Sequence, residues 1–576
     1  MRKILAYYLK PYYGRMALGF GIKFTGTVMD LLLPWTLAHM IDQVIPTGRQ
    51  GEILMWGGFM VVCSVLAVVF NIMANRMASR VASDVIYTVR GDLFAKVMYL
   101  SHEEGDRITR PSLISRLTSD TYYVHQMLAR VQRLGVRAPI LLLGGLAMTL
   151  ILDPVLACVL LAVMPLLAVV VVVVSRKGIP LFAALQDCAD RFVRLVREDI
   201  AGIRVIKALS TEDYERARCD SVNREMADAE LKATMTTAVS NPAMNIFLNL
   251  GLVGVIVAGA YRVNAGTSQV GKILAFMTYF TIILNAMMSI SRMFVMISKA
   301  AASAGRIDQV LVSRDERELL GVLEEDAVSQ SSGDNEVPHV EFDHVSFSYN
   351  KHQPNLADIS FRLTQGETLG IIGSTGSGKT TVINLLMGFY RPDAGTIRIG
   401  GQDIMDMDLR QLRSRFGAVF QNDVIFENTI LENITMGRAL GREQAGHAVR
   451  HAMAEEFVGE KGGLEQQLDI RGANLSGGQK QRLLIARALA GNPEILILDD
   501  SSSALDYKTD AALRQELREH FRRTTCIVIA QRVSSVMSAD HILVLEEGQA
   551  IGYGTHEQLM ASCSVYREIS SSQMGA

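Results

Sequence analysis

The chain has 576 residues, of which 49% are hydrophobic, and its mean hydropathy is +0.21. At about 150 residues per domain this length predicts three or four units, and the apolar excess indicates a chain partly embedded in a membrane. A net charge of −2 argues against a basic surface that binds nucleic acid. The six cysteines are scattered without a CxxC pair or a His/Cys cluster, which argues against disulfides and a zinc site.

The first half of the chain is predicted to be a membrane domain. Its N-terminal sequence, MRKILAYYLKPYYGR, is basic, aromatic and amphipathic, which predicts an interfacial helix. Six apolar runs follow that are each long enough to cross about 30 Å of hydrocarbon. They lie near residues 16–45, 53–75, 134–152, 155–175, 242–262 and 271–297, with a tight turn at Asp153–Pro154. Two long polar stretches between spans keep helical periodicity, which predicts helices that continue out of the bilayer.

Basic residues predict the orientation of these spans. Near one set of span ends they are frequent: Arg76, Arg80, Arg90, Arg130, Arg133, Arg137, Arg176 and Lys177. The short loops on the opposite side carry Arg49, Arg262 and Lys272. The positive-inside rule therefore places both termini and both long polar stretches in the cytoplasm, with the chain passing several times through the plasma membrane.

Polar residues inside the apolar runs mark a candidate translocation path, because burying them in lipid is costly. Asn241, Asn245 and Asn249 recur at every fourth residue and so share one face of their helix. On the last span Asn285, Ser289 and Arg292 likewise share one face, and on the first span Lys23 and Asp30 lie two turns apart. One interpretation is a water-filled cavity lined by these side chains, and the other is hydrogen bonding between packed helices.

A domain boundary is predicted at residues 313–338, where the sequence is charged, rich in serine and without periodicity. The predicted organisation is a membrane domain at 1–312, a linker at 313–338 and a second domain at 339–576. Early in the second domain, the strand-like TLGII runs into GSTGSGKT and then into the helix-like TVINLLMGF. This is the phosphate loop in its strand–loop–helix context, which predicts nucleotide binding.

The phosphate loop predicts a role for each of its residues. Backbone N–H groups face the phosphates, Lys379 reaches the β and γ phosphates, and the hydroxyl of Thr380 binds Mg²⁺. The predicted nucleotide-binding residues here are Gly373, Ser374, Thr375, Gly376, Ser377, Gly378, Lys379, Thr380 and Thr381. Further on, ILILDD predicts a buried strand that ends in Asp499, a second group for the metal ion, followed by Asp500 as a base for water.

A second anion-binding helix start is predicted about a hundred residues after the phosphate loop. The sequence LSGGQ opens an amphipathic helix whose N-terminus can hold a phosphate. Since the chain already has one phosphate loop, this second site is predicted to serve a neighbouring subunit. Its residues are Leu475, Ser476, Gly477, Gly478 and Gln479.

The order of GSTGSGKT, VFQND, LSGGQ, ILILDD and SALD resembles the ATPase domain of ATP-binding cassette (ABC) transporters, and the six preceding spans resemble an exporter half-transporter. The resemblance implies six transmembrane helices followed by an α/β P-loop ATPase domain, with ATP and Mg²⁺ as cofactors. It also implies that two such chains hold two ATP molecules between them, and that coupling helices lie near 119–125 and 209–215. By resemblance, Tyr349 stacks on adenine, Gln421 contacts Mg²⁺ and Asp506 crosses the dimer interface.

The chain departs from the family pattern at the hydrolytic residues. Asp500 stands where the family usually has a catalytic glutamate, and Gln531 stands at the position of the usual switch histidine. Ile470 lies near a position that often carries glutamate in exporters. Aspartate is one methylene shorter than glutamate, and glutamine has no titratable proton, so the site is predicted to bind ATP and hydrolyse it poorly.

The sequence therefore predicts an ATP hydrolase coupled to transport, in the form of one subunit of a heterodimeric exporter. This subunit would move an amphipathic or hydrophobic small molecule outward across the lipid bilayer, as multidrug exporters do. It would contribute a degenerate Walker site and lend its intact LSGGQ to a competent site on a partner half-transporter. The alternatives are a homodimer with two slow sites and an ATP-gated channel or regulator.

Overall fold

The computed structural model describes residues 2–316, 337–501 and 504–574 of the chain. These residues form two compact units. The first takes in the described residues of Met1–Met98 and Thr109–Ser313, and the second takes in those of Tyr99–Ile108 and Arg314–Ala576. Most of the predicted linker, 317–336, lies outside the described residues. The segment Tyr99–Ile108 groups with the second unit, although sequence analysis assigned it to the membrane domain.

The N-terminal half of the chain is helical. Its helices are α1 (Arg2–Leu9), α2 (Tyr13–His39), α3 (Gln50–Met98), α4 (His102–Ile108), α5 (Arg110–Ser115), α6 (Thr121–Leu152), α7 (Pro154–Ala201), α8 (Ile203–Leu209), α9 (Glu212–Ala238), α10 (Ser240–Asn264) and α11 (Val270–Val312). Short π-helices at Met40–Val44 and Arg116–Asp120 extend α2 and precede α6. All of these helices except α4 belong to the first unit.

Six helical stretches in the described residues are long and apolar enough to cross a membrane. They are Ala6–Thr47, Gln50–Met98, Arg110–Leu152, Pro154–Ala201, Glu212–Asn264 and Val270–Ile290. These stretches confirm the six predicted apolar spans. Most of them exceed what a bilayer requires: the 49 residues of α3 extend about 74 Å at 1.5 Å per residue, against a hydrocarbon core of about 30 Å.

The predicted turn at Asp153–Pro154 separates α6 from α7. Asp153 is extended and caps α7, since its Oδ1 accepts hydrogen bonds from the backbone N–H of Val155 at 3.0 Å and of Leu156 at 3.3 Å. Pro154 occupies the first helical position, where its missing N–H costs nothing. The other carboxylate oxygen accepts from the Arg262 guanidinium at 3.2 Å, which neutralises the buried charge.

The second unit is built on two sheets. Its strands are β1 (Val340–Phe347), β2 (Leu356–Leu363), β3 (Thr368–Gly373), β4 (Ala394–Ile399), β5 (Gln402–Asp403), β6 (Phe416–Val419), β7 (Ile495–Asp499), β8 (Thr525–Ile529), β9 (His541–Glu546) and β10 (Gln549–Gly554). An antiparallel sheet has the order β2-β1-β4-β5, and a six-stranded sheet has the order β10-β9-β3-β8-β7-β6. In the second sheet the strands from β9 to β6 are parallel neighbours.

Helices surround these sheets. They are α12 (Lys379–Leu386), α13 (Leu409–Ser414), α14 (Ile430–Thr435), α15 (Arg442–His451), α16 (Glu455–Glu460), α17 (Gly477–Leu489), α18 (Tyr507–His520), α19 (His556–Ser562) and α20 (Ser564–Met574). The strand β7 is buried at every residue, as expected for a central strand of a parallel sheet. The carboxyl ends of β3, β7 and β8 meet at one edge, where Gly373, Asp499 and Ile529 end their strands.

The helix α4 is held within the second unit by several polar contacts. The backbone N–H of Glu316 donates to the carbonyl of Tyr99 at 2.8 Å, and the hydroxyl of Tyr390 donates to Asp106 at 2.5 Å. The His102 ring stacks on Phe389 with centroids 4.3 Å apart. Burial raises the pKa of Tyr390, and its hydrogen bond to Asp106 adds to the rise.

The first predicted coupling helix, near 119–125, lies in the first unit, and its role stays a prediction. Residues 121–125 begin α6 in the first unit, where the preceding Asp120 is buried and pairs with Arg306 of α11. The part of this polar stretch that groups with the second unit is α4, which lies earlier in the sequence. The other predicted segment, 209–215, spans the end of α8, the turn at 210–211 and the start of α9, and its role stays a prediction.

Candidate functional site

The phosphate loop lies between β3 and α12, as its sequence predicts. A Cβ on Gly373 would meet the carbonyl oxygen of Leu545 at 2.1 Å, so only glycine fits there. Gly378 has a φ of +99°, and a Cβ would meet Leu356 at 2.6 Å, which excludes a side chain. The loop therefore presents an uncovered backbone to a cavity of about 280 Å³.

Lys379 is folded onto the loop that precedes it. Its Nζ donates to the carbonyl oxygens of Gly373 at 2.9 Å and of Ser374 at 2.8 Å. Burial lowers the pKa of this lysine, and the nearby carboxylates of Asp499 and Asp500 oppose that shift. The ammonium is thus held by two neutral acceptors at the cavity, where an anionic phosphate would be a stronger partner.

The same cavity holds a set of oxygen donors suited to Mg²⁺. Asp499 at the end of β7 is 3% exposed, and its Oδ2 accepts from the hydroxyl of Thr380 at 3.3 Å. Burial raises the pKa of Asp499, while the Thr380 hydrogen bond opposes the rise. Gln421 lines the cavity as well. Carboxylate, hydroxyl and amide oxygens are hard ligands, so these residues fit a magnesium ion.

Asp500 and Gln531 are in contact at the edge of this cavity. The Nε2 of Gln531 donates to Oδ2 of Asp500 at 3.3 Å, and both residues line the cavity. The backbone N–H of Asp500 continues the sheet by donating to the carbonyl of Ile529 at 3.0 Å. Its φ is +51°, a left-handed value that aspartate adopts more readily than most residues. The two departures from the family pattern therefore form one hydrogen-bonded pair.

Tyr349 lies next to the phosphate-loop helix. Its hydroxyl donates to the Thr381 hydroxyl at 3.4 Å and accepts from the Asn384 amide at 3.2 Å. The ring is 45% exposed and packs edge-on against Phe347 and Tyr390. One ring surface thus stays accessible close to the cavity, and adenine stacking there stays a prediction.

The signature sequence begins α17 as predicted. Ser476 is the N-cap, its Oγ accepts from the N–H of Gln479 at 3.3 Å, and the Gln479 side chain accepts from the N–H of Ser476 at 3.0 Å. This capping box leaves the backbone N–H groups of Gly477 and Gly478 as first-turn donors without intrahelical partners. Among the described residues, those lining the phosphate-loop cavity do not include the signature residues.

The described residues show no steric reason for a glycine at position 477. Among the described residues, a Cβ there would meet the Ala504 side chain at 3.8 Å, which is ordinary contact. Its φ is not left-handed. Because glycine in a helix costs roughly 0.5–1 kcal/mol relative to alanine, the described structure gives no internal reason for this choice. A close approach from outside the chain would explain it.

Asp506, predicted to cross a dimer interface, caps α18. Its carboxylate accepts from the N–H of Thr509 at 2.9 Å and from the Thr509 hydroxyl at 2.7 Å. These hydrogen bonds lower the pKa of Asp506. Its role between subunits stays a prediction.

Two of the candidate path residues form bonds between helices of the first unit. Lys23 on α2 is 3% exposed, and its Nζ donates to Asn75 on α3 at 3.0 Å. Asp30 pairs with Arg137 on α6 at 2.9 Å and accepts from Asn71 at 3.3 Å. For these two residues the geometry favours the interpretation of helix–helix hydrogen bonding over that of a cavity lining.

The other candidate path residues are more open. Asn241, Asn245 and Asn249 are exposed along α10, and Asn285 is exposed on α11. Ser289 donates to the carbonyl of Asn285 within its own helix at 2.8 Å. The side chain of Arg292 lies outside the described residues. An aqueous path along these faces stays a prediction.

Thiol labelling tests this division between open and packed positions. We expect Asn245→Cys to react with a membrane-impermeant thiol reagent in inside-out vesicles, because residue 245 is exposed, and Lys23→Cys to react far more slowly, because residue 23 is buried against α3. The six native cysteines are first replaced, since Cys158 is exposed. Complete protection of position 245 in both the nucleotide-free and ATP-bound states would contradict an aqueous path.

Sequence reasoning missed a residue that anchors the loop after Gln421. Arg487 on α17 donates to the carbonyl of Val424 at 2.9 Å and to the carbonyl of Asn433 at 2.8 Å. Burial lowers the pKa of Arg487, and Asp423 opposes that shift. This guanidinium connects the signature helix to the Gln421 loop. The signal available in the sequence was an arginine on the otherwise apolar stretch LLIARALA.

Two protein-family models match the chain, one in its N-terminal half and one in its C-terminal half. Residues 16–287 match the family model of the ABC transporter transmembrane region, and residues 356–503 match that of the ABC transporter. The chain is 33% identical to the uncharacterized ABC transporter ATP-binding protein YfiB of Bacillus subtilis (strain 168), across 100% of this chain and 99% of that protein. It is 31% identical to an uncharacterized ABC transporter ATP-binding protein of Mycobacterium tuberculosis (strain CDC 1551 / Oshkosh), across 99% of this chain and 98% of that protein.

A solved structure of a bacterial Atm1-family ABC exporter with ATP bound superposes with a TM-score of 0.81 at 25% identity, across 98% of both chains. The comparison confirms the predicted fold class, in which six apolar membrane helices precede an α/β nucleotide-binding domain. ABC exporters act as dimers within a membrane and couple ATP hydrolysis to transport. The chain belongs to the ABC transporter family, in which it is an exporter half-transporter with its own ATP-binding domain.

Proposed function

We propose that this chain is the degenerate-site subunit of a heterodimeric exporter in the plasma membrane. Its own phosphate loop binds Mg-ATP and hydrolyses it slowly, while its signature helix completes the competent site of a partner half-transporter. The observation that carries the proposal is the hydrogen bond between Gln531 and Asp500 at 3.3 Å, at the edge of the phosphate-loop cavity.

The chemistry of Asp500 supports the proposed slow hydrolysis. A base for the attacking water must lie within hydrogen-bond reach of that water, and a displacement of about 1 Å can cost on the order of a hundredfold in rate. Asp500 is one methylene shorter than the usual glutamate, and one of its oxygens is already engaged by Gln531. A shorter side chain and an engaged oxygen both make its carboxylate a poorer base for water in this cavity.

Gln531 cannot replace an imidazole in this reaction. Its amide can donate to a phosphate or to Asp500, but it does not titrate near neutral pH and cannot hold or move a proton. Binding does not need these groups, because Lys379, the glycine loop and the Thr380–Asp499 pair are all in place. Mg²⁺ would be held by Thr380, Gln421 and Asp499 and would neutralise part of the phosphate charge.

The proposed direction of transport rests on membrane topology and family resemblance. Basic residues concentrate on one side of the predicted spans, which supports cytoplasmic termini in a multi-pass protein. The open polar faces of α10 and α11 support a path for an amphipathic or hydrophobic small molecule that is moved outward. Multidrug-type export is the proposal that follows.

The chain purified alone tests the proposed weak site. We expect it to bind Mg-ATP and to release phosphate about a hundredfold more slowly than the complex with its partner, because its base is short and engaged. Equilibrium binding and steady-state phosphate release are measured on the same preparation. Lys379→Ala is the control, since it removes the ammonium at the phosphate site and should abolish binding. Robust hydrolysis that Asp500→Asn abolishes would contradict the weak-site assignment.

Two alternatives differ from this proposal in measurable ways. A homodimer with two slow sites would give a single band after a stringent pull-down from the native host, whereas the heterodimer gives two chains in equal amounts. An ATP-gated channel or regulator would give ion currents in a planar bilayer. The intact signature helix favours the heterodimer, since a competent site elsewhere would use it.

A further inference from the structure

The second unit contains a cluster of metal-ligating side chains away from the nucleotide cavity. Within residues 2–316, 337–501 and 504–574, His451, Glu516 and His520 offer ligand atoms that all lie within 4.8 Å of one another. His451 is the last residue of α15, and the other two lie one turn apart at the end of α18. Sequence analysis found no such cluster, because 65 residues separate His451 from Glu516.

The distances within this cluster suit a single ion. The Oε1 of Glu516 lies 2.7 Å from Nδ1 of His451 and 3.2 Å from Nδ1 of His520. A tetrahedral zinc ion with bonds of about 2.0–2.2 Å spaces its ligand atoms about 3.3–3.6 Å apart. Small side-chain rotations would therefore open the cluster around an ion, and no movement of the helices would be needed.

The surroundings hold part of the cluster in place and leave part open. The side chains of His451 and Glu516 are each 23% exposed, whereas that of His520 is 51% exposed. The His451 ring packs edge-on against Phe521, with centroids 5.3 Å apart. His451 is thus restrained by packing, and the exposed side of His520 leaves room for a water molecule as a fourth ligand.

We propose that His451, Glu516 and His520 bind one divalent transition-metal ion, with Zn²⁺ as the best fit. Two imidazoles and one carboxylate are the donors that zinc and its neighbours prefer, whereas Mg²⁺ and Ca²⁺ take oxygen ligands. The ion would join the end of α15 to the end of α18. Since Asp506 caps α18 and α15 packs on the signature helix α17, the ion would tie together two elements that flank the nucleotide machinery.

Metal titration of the full chain tests this site. The protein is purified in detergent through a tag without histidine and titrated calorimetrically with Zn²⁺, without nucleotide and in excess Mg²⁺. We expect one saturable zinc ion per chain, and Co²⁺ should give the visible absorption of a low-symmetry, nitrogen-ligated site. His451→Gln and Glu516→Gln should each weaken zinc binding by about tenfold or more, since each removes one of three protein ligands.

His556→Gln is the matched control. His556 bonds Tyr566 in the C-terminal helices and is not part of the cluster, so its replacement should leave zinc affinity unchanged. Mg-ATP binding and the thermal unfolding midpoint without zinc verify that each variant is folded. Zinc binding of equal stoichiometry and affinity in wild type and His451→Gln, or no saturable binding by the wild type, would overturn the proposal.

Discussion

In the complex of this chain with its co-expressed partner, we expect Gly477→Asp to lower steady-state ATPase activity and transport by about a hundredfold or more. The backbone donors at the start of α17 would stabilise the phosphate that is transferred in the partner's site, and losing one such donor typically costs about 3 kcal/mol. The aspartate adds bulk and negative charge where a phosphate should approach. By contrast, Asp500→Asn removes a base that is already short and engaged by Gln531, so most of the turnover should remain.

Gly446→Asp provides a matched control for this comparison. Gly446 lies on α15, and a Cβ there would have no neighbour within 4 Å among the described residues, so it also has room for a side chain. It should leave turnover nearly unchanged, which separates the effect of position 477 from that of an added charge. If Asp500→Asn silences the complex while Gly477→Asp is tolerated, the two roles are reversed and Asp500 is a working base.

The second large effect is a gain of activity. We expect the double substitution Asp500→Glu and Gln531→His to raise phosphate release by the chain purified alone about a hundredfold. The glutamate side chain is one methylene longer, so its carboxylate lies closer to the attacking water. The histidine imidazole restores a group that can hold a proton. Steady-state phosphate release at saturating Mg-ATP measures the change, and ATP affinity should stay the same because the phosphate loop is unaltered.

Adding Lys379→Ala to the double variant should remove the gained activity, which would show that it arises at this chain's own phosphate loop. Each single substitution should give a smaller gain, because Asp500 and Gln531 act as a bonded pair. A double variant that binds Mg-ATP normally but hydrolyses no faster than wild type would contradict the weak-site assignment. In that case the slow step would lie elsewhere in the cycle.

Much of the fold and part of the site could be predicted from local sequence. The apolar runs predicted six spans because only long apolar helices can satisfy their backbone in lipid. GSTGSGKT predicted the phosphate loop because its glycines are needed by close backbone contacts, as the 2.1 Å approach of Leu545 to a Cβ at Gly373 shows. Asp499 was correctly predicted to end a buried strand beside this loop, and its role as a metal ligand stays a prediction.

The remainder depended on contacts between residues far apart in the chain. Asp106 and Tyr390 are 284 positions apart, and a polar stretch between two spans gives no local signal of that partner. Arg487 anchors Asn433 across 54 residues, and its sequence neighbours predict only a helix. The spacing of Lys23 and Asp30 predicts that they share one side of α2. It does not predict which neighbouring helices provide their partners, Asn75 and Arg137.

The division of the second unit into two pieces of chain has a consequence for biosynthesis. The helix α4 leaves the ribosome about two hundred residues before Arg314, where the rest of that unit begins. At roughly 5–20 residues per second, the 284 positions from Asp106 to Tyr390 take on the order of 15–60 s to synthesise, and α4 waits that long for the surface around Phe389 and Tyr390. During that interval the His102 ring and the Asp106 carboxylate lack their partners in the ATPase domain, Phe389 and Tyr390. Damage to this contact would therefore reduce the amount of mature protein through degradation of the nascent chain, before any cycle of transport begins.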